Sequence, residues 1–201
     1  MTDVFLLGNA QPATQSTSLT YNPGLSETGA VQSLTLTPFL DALSIDYLYT
    51  SPFLMCRETI TPFAKNSSIL INIHQSLKDC IAPVNAKDYR ESVKAFWKDT
   101  SAGHFKKARS RLIDTILKIC ENHPQKRILI CMHSHMIALA LNHYDKSLYG
   151  AEFAHKVKCP DLFSFTVQNQ AFRSIKHIDL SPYCDTIPQF APLILSKPSL
   201  V

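Results

Sequence analysis

The most informative segment of the 201-residue chain is Lys126–His135, with the sequence KRILICMHSH. Within it, Lys126–Met132 is an apolar run behind two basic residues, which predicts a central strand buried on both faces. From His135 to His143 the apolar residues fit a helix. A buried strand that passes directly into a helix is typical of an α/β domain with a parallel sheet, because helices must cover both faces of such a strand.

The rest of the chain continues this alternation of strands and helices. Further strands are predicted at Val4–Leu7, Asp46–Thr50, Ser68–Ile73, Leu162–Val167 and Phe172–Ile178. Helices are predicted over Glu27–Leu43, with a kink or break at Pro38, and over Ala102–Asn122. A further helix is predicted to begin with Ser51 as its N-cap and Pro52 as its first residue, and to end or bend at Pro62. The segment from Ile73 to about Asp88 is expected to be irregular. This order predicts an α/β three-layer sandwich with a mainly parallel central sheet flanked by helices.

The length favours one folded domain, which we assign to residues 1–180. Residues 181–201 are expected to form a Pro-rich tail without regular structure. The prolines of this tail are Pro182, Pro188, Pro192 and Pro198. The tail also contains apolar residues, which suggest that it packs against its own domain or a partner.

Composition excludes several classes of protein. With 45% hydrophobic and 18% charged residues and a net charge of +4, the chain is too apolar to be disordered. It has no run of ~20 apolar residues and opens without a basic-apolar leader, so we expect a cytoplasmic protein without a membrane partner, with export by a leaderless route left open. The basic cluster 104–111 spreads around its helix, which indicates a solvated face rather than a nucleic-acid site.

The six cysteines favour buried, reduced thiols, because none belongs to a Cys-x-x-Cys pair and their neighbours are apolar. A zinc site formed by Cys131, His133 and His135 is the sharper alternative, although no second ligand cluster supports it. The expected protein therefore carries no cofactor and no metal. His135 is otherwise expected to cap its helix, and His74 to be a polar residue at the end of an element or to face the same sheet edge.

Four segments in order resemble the histidine phosphatase superfamily, whose fold is phosphoglycerate mutase-like. Val4–Gln11 resembles the opening strand, which normally ends in Arg-His-Gly, and Leu25–Ser33 resembles the Leu-Thr-x-x-Gly-x-x-Gln-Ala segment. Leu48–Thr59 is similar to the Ser-Pro-x-x-Arg-x-x-x-Thr helix start, and Ile128–Ser134 to the strand before the second family histidine. The resemblance runs from residue 4 to about residue 178.

The resemblance also implies where catalytic residues belong. In the family, the histidine after the first strand attacks a phosphoryl group, two arginines and a second histidine bind the phosphate, and an acidic residue protonates the leaving group. By position, the nucleophile falls on Asn9, and the two arginines fall on Gly8 and Met55. His133 matches the second histidine, and Asp79 matches the acid. The nucleophile and both arginines are therefore replaced.

These replacements predict a loss of phosphoryl transfer. An asparagine cannot form the phosphohistidine, and each lost arginine removes charge-assisted hydrogen bonds of ~1.5–3 kcal/mol. Arg57 is a candidate substitute, but it follows Met55 by two residues and points ~200° away on a helix. The predicted ligand-binding residues are Gly8, Asn9, Met55, Arg57 and Ser134.

Three functions remain open on this basis. The first is a pseudo-phosphatase that acts as a binding or regulatory module and takes a neutral or weakly anionic small molecule or a protein segment. The second is a phosphatase-like or mutase-like hydrolase with altered chemistry, in which His133 and Asp79 act as a general acid–base pair on a water molecule. The third is a structural protein with a homodimer surface.

Overall fold

Strands and helices alternate along the computed structural model, which describes residues 1–13, 22–81 and 86–184, with only the backbone for 86–88. The strands are β1 (Thr2–Gly8), β2 (Tyr47–Thr50), β3 (Ile71–Ile73), β4 (Arg127–Met132), β5 (Leu162–Gln168) and β6 (Ala171–Ile178). The helices are α1 (Glu27–Ala42), α2 (Leu54–Ser67), α3 (Ala86–Lys98), α4 (Gly103–Asn122), α5 (Ser134–Tyr144), α6 (Ala151–Lys156) and α7 (Ser181–Cys184), with a short 3-10 helix at Gln75–Leu77.

The six strands form one sheet in the order β3-β2-β4-β1-β5-β6. The pairs β2·β3, β2·β4 and β1·β4 are parallel, whereas β1·β5 and β5·β6 are antiparallel. Gly8 pairs with Met132, and Thr50 pairs with Cys131. The carboxyl ends of β1, β2 and β4 therefore meet at one edge of the sheet, which is where ligands bind in parallel α/β sheets.

Helices cover both faces of the sheet. Successive side chains of β4 alternate between two apolar clusters: Ile128 and Ile130 pack with α4 and α5, and Leu129 and Cys131 pack with α1 and α2. The strand is thus buried on both faces because each face carries its own helical layer. The predicted three-layer α/β sandwich with a mainly parallel sheet is confirmed.

The prolines do not end the helices in which they occur. Pro38 lies inside α1 and Pro62 inside α2, so the predictions that Pro38 could split its helix and that Pro62 could end its helix are wrong. A proline at 62 cannot donate to the carbonyl of Glu58, four residues earlier. The Ser33 hydroxyl of α1 lies 3.1 Å from that carbonyl oxygen and 2.8 Å from that of Thr59. A neighbouring helix therefore supplies the missing donor.

Three element boundaries also differ from the predictions. Helix α2 begins at Leu54 with Phe53 as its N-cap, so Ser51 is not the cap and Pro52 is not the first helical residue. Ser68 ends α2 in a left-handed conformation, with φ of 57°, which delays β3 to Ile71. Helix α5 begins at Ser134 with His133 at the N-cap position, so His135 does not cap it.

The sequence-based prediction missed the helices α3, α6 and α7. Helix α3 begins at Ala86, inside the segment expected to be irregular. Helix α7 contradicts the expectation that residues 181–201 form no regular element, and its Tyr183 ring lies 4.8 Å from that of Phe39 in α1. The remainder of that tail, 185–201, lies outside the described residues. None of the helices in the described ranges is long and apolar enough to cross a membrane.

The cysteines differ in their exposure to solvent. All six are free, as predicted, but Cys80 is only partly buried and Cys159 is exposed.

Two arginines of the basic cluster bind neighbouring elements. Arg109 donates to Asn142 at 2.7 Å, and Arg111 donates to the carbonyl of Lys78 at 2.8 Å. These two cations therefore hold α4 against its neighbours.

Candidate ligand-binding site

A cleft of about 740 Å³ opens at the sheet edge where β1 and β4 end. Its floor includes Asn9, which follows β1, and His133, which follows β4. Met55 from α2 and Ser134 from α5 also line it. The other lining residues are Gln11, Pro12, Ala13, Ser26, Tyr89, Arg90, Val93, Lys94, His135, Ala154, His155, Val157 and Cys159. The structure therefore brings together most of the residues that the sequence assigned to a site.

His133 is a buried cation in the floor of the cleft. Its Nδ1 lies 3.9 Å from the Cys56 sulfur and its Nε2 lies 3.9 Å from Asp79 Oδ2. Burial alone would lower the pKa of this imidazole, but the negative charges of Cys56 and Asp79 outweigh burial and raise the pKa to about 9. The His133 ring is therefore an imidazolium at neutral pH.

Asp79 lies below the cleft and does not line it. Its Oδ1 accepts from the backbone N–H of Ile81 at 2.9 Å, and its Oδ2 accepts from the Tyr89 hydroxyl at 2.7 Å. Burial would raise the pKa of the Asp79 carboxyl, but the electrostatic interactions with His135 and His133 and the hydrogen bonds from His135 and Tyr89 hold it well below its usual range. Asp79 is thus an ionised acceptor whose two oxygens are occupied.

His135 is a site residue whose role the sequence-based prediction missed. It is the second residue of α5, lines the cleft, and has its Nε2 2.7 Å from Asp79 Oδ1. His135, not His133, is therefore the hydrogen-bonded partner of Asp79. The available signal was the His133-Ser-His135 spacing, because residues before and after the first position of a helix can both face the end of the sheet. His74 instead accepts from the backbone N–H of Ser76 at the start of the 3-10 helix, outside this lining.

The position of Gly8 is closely packed. A Cβ atom at Gly8 would lie 2.7 Å from Ser134 Oγ. That hydroxyl donates to the carbonyl of Lys158 at 2.7 Å and lies 3.1 Å from the Cys159 sulfur. Ser134, Asp161 and Lys158 therefore border the space into which a side chain at position 8 would extend.

Asn9 and Met55 are held by the backbone at the ends of their elements. The Asn9 Nδ2 donates to the Ala10 carbonyl at 2.9 Å, and both residues are buried. Thr59 joins the two elements, because its hydroxyl donates to the Met55 carbonyl at 2.7 Å and accepts from Ala10 N–H at 2.9 Å. Arg57 is exposed and lies outside the lining of the cleft, as helical geometry predicts for a residue two positions after Met55.

The rim of the cleft carries cations that the sequence-based prediction did not identify. Arg90 and Lys94 are exposed on α3, and His155 is exposed on α6. Lys94 also contacts Glu91 at 2.9 Å on the surface. None of the described residues that line the cleft is Asp or Glu. The rim was missed because α3 and α6 were not predicted.

The residues that could share a metal ion differ from those of the predicted zinc site. Among the described residues, the three side chains placed closely enough to share a cation are Asp79, Cys80 and His135. Cys131 instead packs in the apolar cluster under α1 and α2. The structure therefore does not bring Cys131, His133 and His135 together as a zinc site.

Comparisons with known proteins agree with this architecture. Among solved structures, "Mycobacterial hydrolase 2" is 12% identical with a TM-score of 0.67 over 95% of both chains. A phosphoserine phosphatase mutant from Entamoeba histolytica in complex with phosphoserine is 15% identical with a TM-score of 0.66, over 87% of this chain and 96% of its own. A mycobacterial glucosyl-3-phosphoglycerate phosphatase is 14% identical with a TM-score of 0.63, over 88% of this chain and 96% of its own. These similarities show a shared fold.

A search of curated proteins found no match. A sequence model of the histidine phosphatase superfamily (branch 1) matches residues 11–168, which is most of the chain. With the strand order and the cleft at the carboxyl ends of β1 and β4, that match assigns the protein: it belongs to the histidine phosphatase superfamily.

Proposed function

We propose that this protein is a pseudo-phosphatase, which binds an anionic ligand in the cleft without transferring a phosphoryl group. The observation that carries the proposal is Asn9, which stands at the end of β1, where the family resemblance places the nucleophilic histidine. The amide nitrogen of asparagine has no basic lone pair and cannot form a phosphohistidine. The Asn9 amide is also buried and engaged with the Ala10 carbonyl.

The histidines that line the cleft are poor replacements for the nucleophile. His133 is protonated because Cys56 and Asp79 raise its pKa to about 9, and an imidazolium has no lone pair to offer phosphorus. The Nε2 of His135 is occupied by Asp79 at 2.7 Å, which leaves only its buried Nδ1. His155 is exposed at the rim, away from the floor.

Leaving-group protonation is also disfavoured. A general acid must hold a proton near neutral pH, yet the Asp79 carboxyl has a pKa well below its usual range. Its oxygens accept hydrogen bonds from Ile81, Tyr89 and His135, so it faces donors rather than the cleft. Asp79 therefore stabilises the two buried imidazoles.

The charges favour an anion as the ligand. Arg90 and Lys94 lie at the rim, and no acidic side chain belongs to the described lining. The His133 imidazolium at the floor is balanced by the charges of Cys56 and Asp79, so the rim cations carry the argument. A cleft with one sign of charge concentrates ligands of the opposite sign. The neutral ligand allowed by the sequence is thus less favoured than an organic anion such as a phosphate monoester.

The first test is hydrolysis of para-nitrophenyl phosphate by the purified protein and by His133→Ala. We expect the two preparations to give the same background rate. Turnover by the wild-type protein that disappears in His133→Ala would overturn the proposal, because it would show catalysis at this site.

The second test is ligand binding by calorimetry. The probes are phosphoserine and 3-phosphoglycerate, which structural neighbours bind in their crystals. We expect binding that weakens about 10-fold or more in Arg90→Ala or His133→Gln, since a charge-assisted hydrogen bond contributes ~1.5–3 kcal/mol. Lys118→Ala removes an exposed cation from α4 and is the matched control. Equal affinity in all four proteins would contradict binding of these anions in the cleft.

A hydrolase with altered chemistry is the second candidate, because His135 opens on the cleft and is oriented by Asp79 at 2.7 Å. The predicted pairing of His133 with Asp79 is weaker support, since their closest atoms are 3.9 Å apart. This candidate requires turnover that disappears in both His133→Ala and His135→Ala.

A further inference from the structure

Two pairs of consecutive residues bring four metal-ligating side chains together beside the cleft. Asp79 and Cys80 follow the 3-10 helix, and His135 and Met136 lie in the first turn of α5. One ligand atom each from Asp79, Cys80 and His135 lies within 4.8 Å of the other two. The Cys80 sulfur lies 3.8 Å from the Met136 sulfur. Three of the side chains therefore form one cluster, and Met136 contacts one of its members, Cys80.

The spacing of the two sulfurs fits a shared cation. Metal–sulfur bonds of about 2.3 Å in tetrahedral geometry place two sulfur ligands about 3.8 Å apart. The Cys80–Met136 distance already has this value. The ligand atoms of Asp79, Cys80 and His135 lie within 4.8 Å of one another, so side-chain rotation has to bring them closer to share a cation.

The orientation of His135 supports the same site. Its Nε2 is 2.7 Å from Asp79 Oδ1, which fixes the tautomer with the proton on Nε2. The Nδ1 is buried and has no hydrogen-bond partner among the residues that the structure describes. A histidine that ligates a metal through one nitrogen typically donates its other N–H to a carboxylate. A buried nitrogen lone pair without a partner is costly unless a ligand uses it.

We propose that Cys80, Met136 and the Nδ1 of His135 bind a soft, thiophilic cation of the Cu(I) class, with Asp79 orienting the imidazole. Thiolate and thioether ligands select Cu(I), whereas a hard cation such as Mg²⁺ prefers oxygen. No electron is transferred: the Cys80 S–H bond breaks, a Cu–S bond forms, and the proton goes to solvent. The partly exposed Cys80 side chain gives the ion its route to the otherwise buried Met136.

The test uses the full chain in a Cys159→Ser background, because the exposed Cys159 thiol would otherwise bind copper. Under argon, Cu(I) is titrated in competition with the coloured chelator bicinchoninate. We expect one Cu(I) per chain and an ultraviolet thiolate-to-copper band. Affinity should fall by more than about 100-fold in Cys80→Ser or Met136→Leu, since the loss of a ligand exceeds the 10- to 100-fold effect of an outer-shell change.

Control variants distinguish the loss of a metal ligand from a general loss of folded structure. Cys120→Ser and Met55→Leu change the same residue types elsewhere and should leave Cu(I) binding unchanged. Met136→Leu preserves side-chain volume, so it keeps the test valid if Cys80→Ser fails to fold, which circular dichroism would show. Unchanged affinity in folded Met136→Leu, or equal losses in the controls, would overturn the proposal.

Discussion

His133 carries a buried charge at the sheet edge, at the position where the family resemblance places a phosphate-binding histidine. It lies 3.9 Å from both the Cys56 sulfur and an Asp79 oxygen, so the buried ring is stabilised as a cation. The Cys56 thiol responds in the opposite direction: burial would raise its pKa, but a hydrogen bond from Cys131 and the charge of His133 lower it. At neutral pH the pair is therefore a thiolate beside an imidazolium, and the cationic ring lines the cleft.

This charge predicts how anion binding depends on pH. The folded-state pKa of His133 is about 9, above the ordinary value, so the cation is present below that pH and lost above it. Phosphoserine affinity should therefore fall about 10-fold between pH ~7 and pH ~10, because only about a tenth of the rings stay protonated one unit above the pKa. Calorimetry at several pH values measures this change. The same decline in His133→Gln would show that another group is responsible.

Gly8 gives a second prediction at the scale of one residue. Gly8→Ala should destabilise the fold by about 1–3 kcal/mol, since the new Cβ would lie 2.7 Å from Ser134 Oγ. Ser134→Ala removes that oxygen at the cost of its hydrogen bond to the Lys158 carbonyl. Urea unfolding of the two single variants and the double variant measures the interaction free energy between positions 8 and 134.

We expect the double variant to be more stable than the sum of the single changes predicts. Strictly additive effects would show that Ser134 does not occupy the space beside position 8. The same crowding means that an arginine introduced at position 8 needs Ser134 to be replaced as well. Gly103→Ala is a suitable control, because a Cβ at Gly103 has no heavy atom within 4 Å.

The residues at strand ends were predictable, and their partners were not. Asn9 and His133 follow buried apolar runs, so their positions at the sheet edge follow from the strands alone. The bond between His135 and Asp79 joins residues 56 positions apart, and Asp79 lies in a segment that was expected to be irregular. Nothing local in the sequence specifies that contact. Arg90 belongs to a helix whose start was expected to be irregular, and it was missed for the same reason.

At the scale of elements, the contact between α1 and α2 explains why a proline is tolerated inside a helix. Pro62 leaves the Glu58 carbonyl without its helical donor, and Ser33 is 3.1 Å from that oxygen. The rule that proline ends a helix failed because it considers one helix at a time. Here the donor comes from a different element, and only the tertiary structure supplies it.

This contact predicts a coupling between Ser33 and Pro62. Ser33→Ala should lower the free energy of unfolding by about 1–3 kcal/mol, because the Glu58 and Thr59 carbonyls lose the hydroxyl donor that they share. In a Pro62→Ala background the loss should be smaller, since an alanine at this position has a backbone N–H that can donate to the Glu58 carbonyl. Urea denaturation measures both. Ser110→Ala, an exposed change on α4, is the control. Equal losses in both backgrounds would contradict the compensation.

At the scale of the whole molecule, the helical layer on one face of the sheet extends past the boundary predicted at residue 180. Leu180 and Cys184 are buried in the apolar cluster under α1 and α2. The Tyr183 ring packs on Phe39, and the backbone N–H groups of Tyr183 and Cys184 both donate to the Leu180 carbonyl. Prolines in this region indicated a tail, but Pro182 is compatible with the first turn of a helix. The folded unit therefore includes α7.

Two truncated chains test this extent. A chain of residues 1–180 should be less stable than one of residues 1–184 by about 2 kcal/mol, because it loses the burial of Cys184 and the ring contact between Tyr183 and Phe39. Urea unfolding compares the two chains directly, and Tyr183→Ala in the longer chain should reproduce part of the loss. The difference must arise at α7 because both chains lack the same later residues. Equal midpoints and slopes for the two chains would show that α7 does not stabilise the fold and would support the predicted boundary at residue 180.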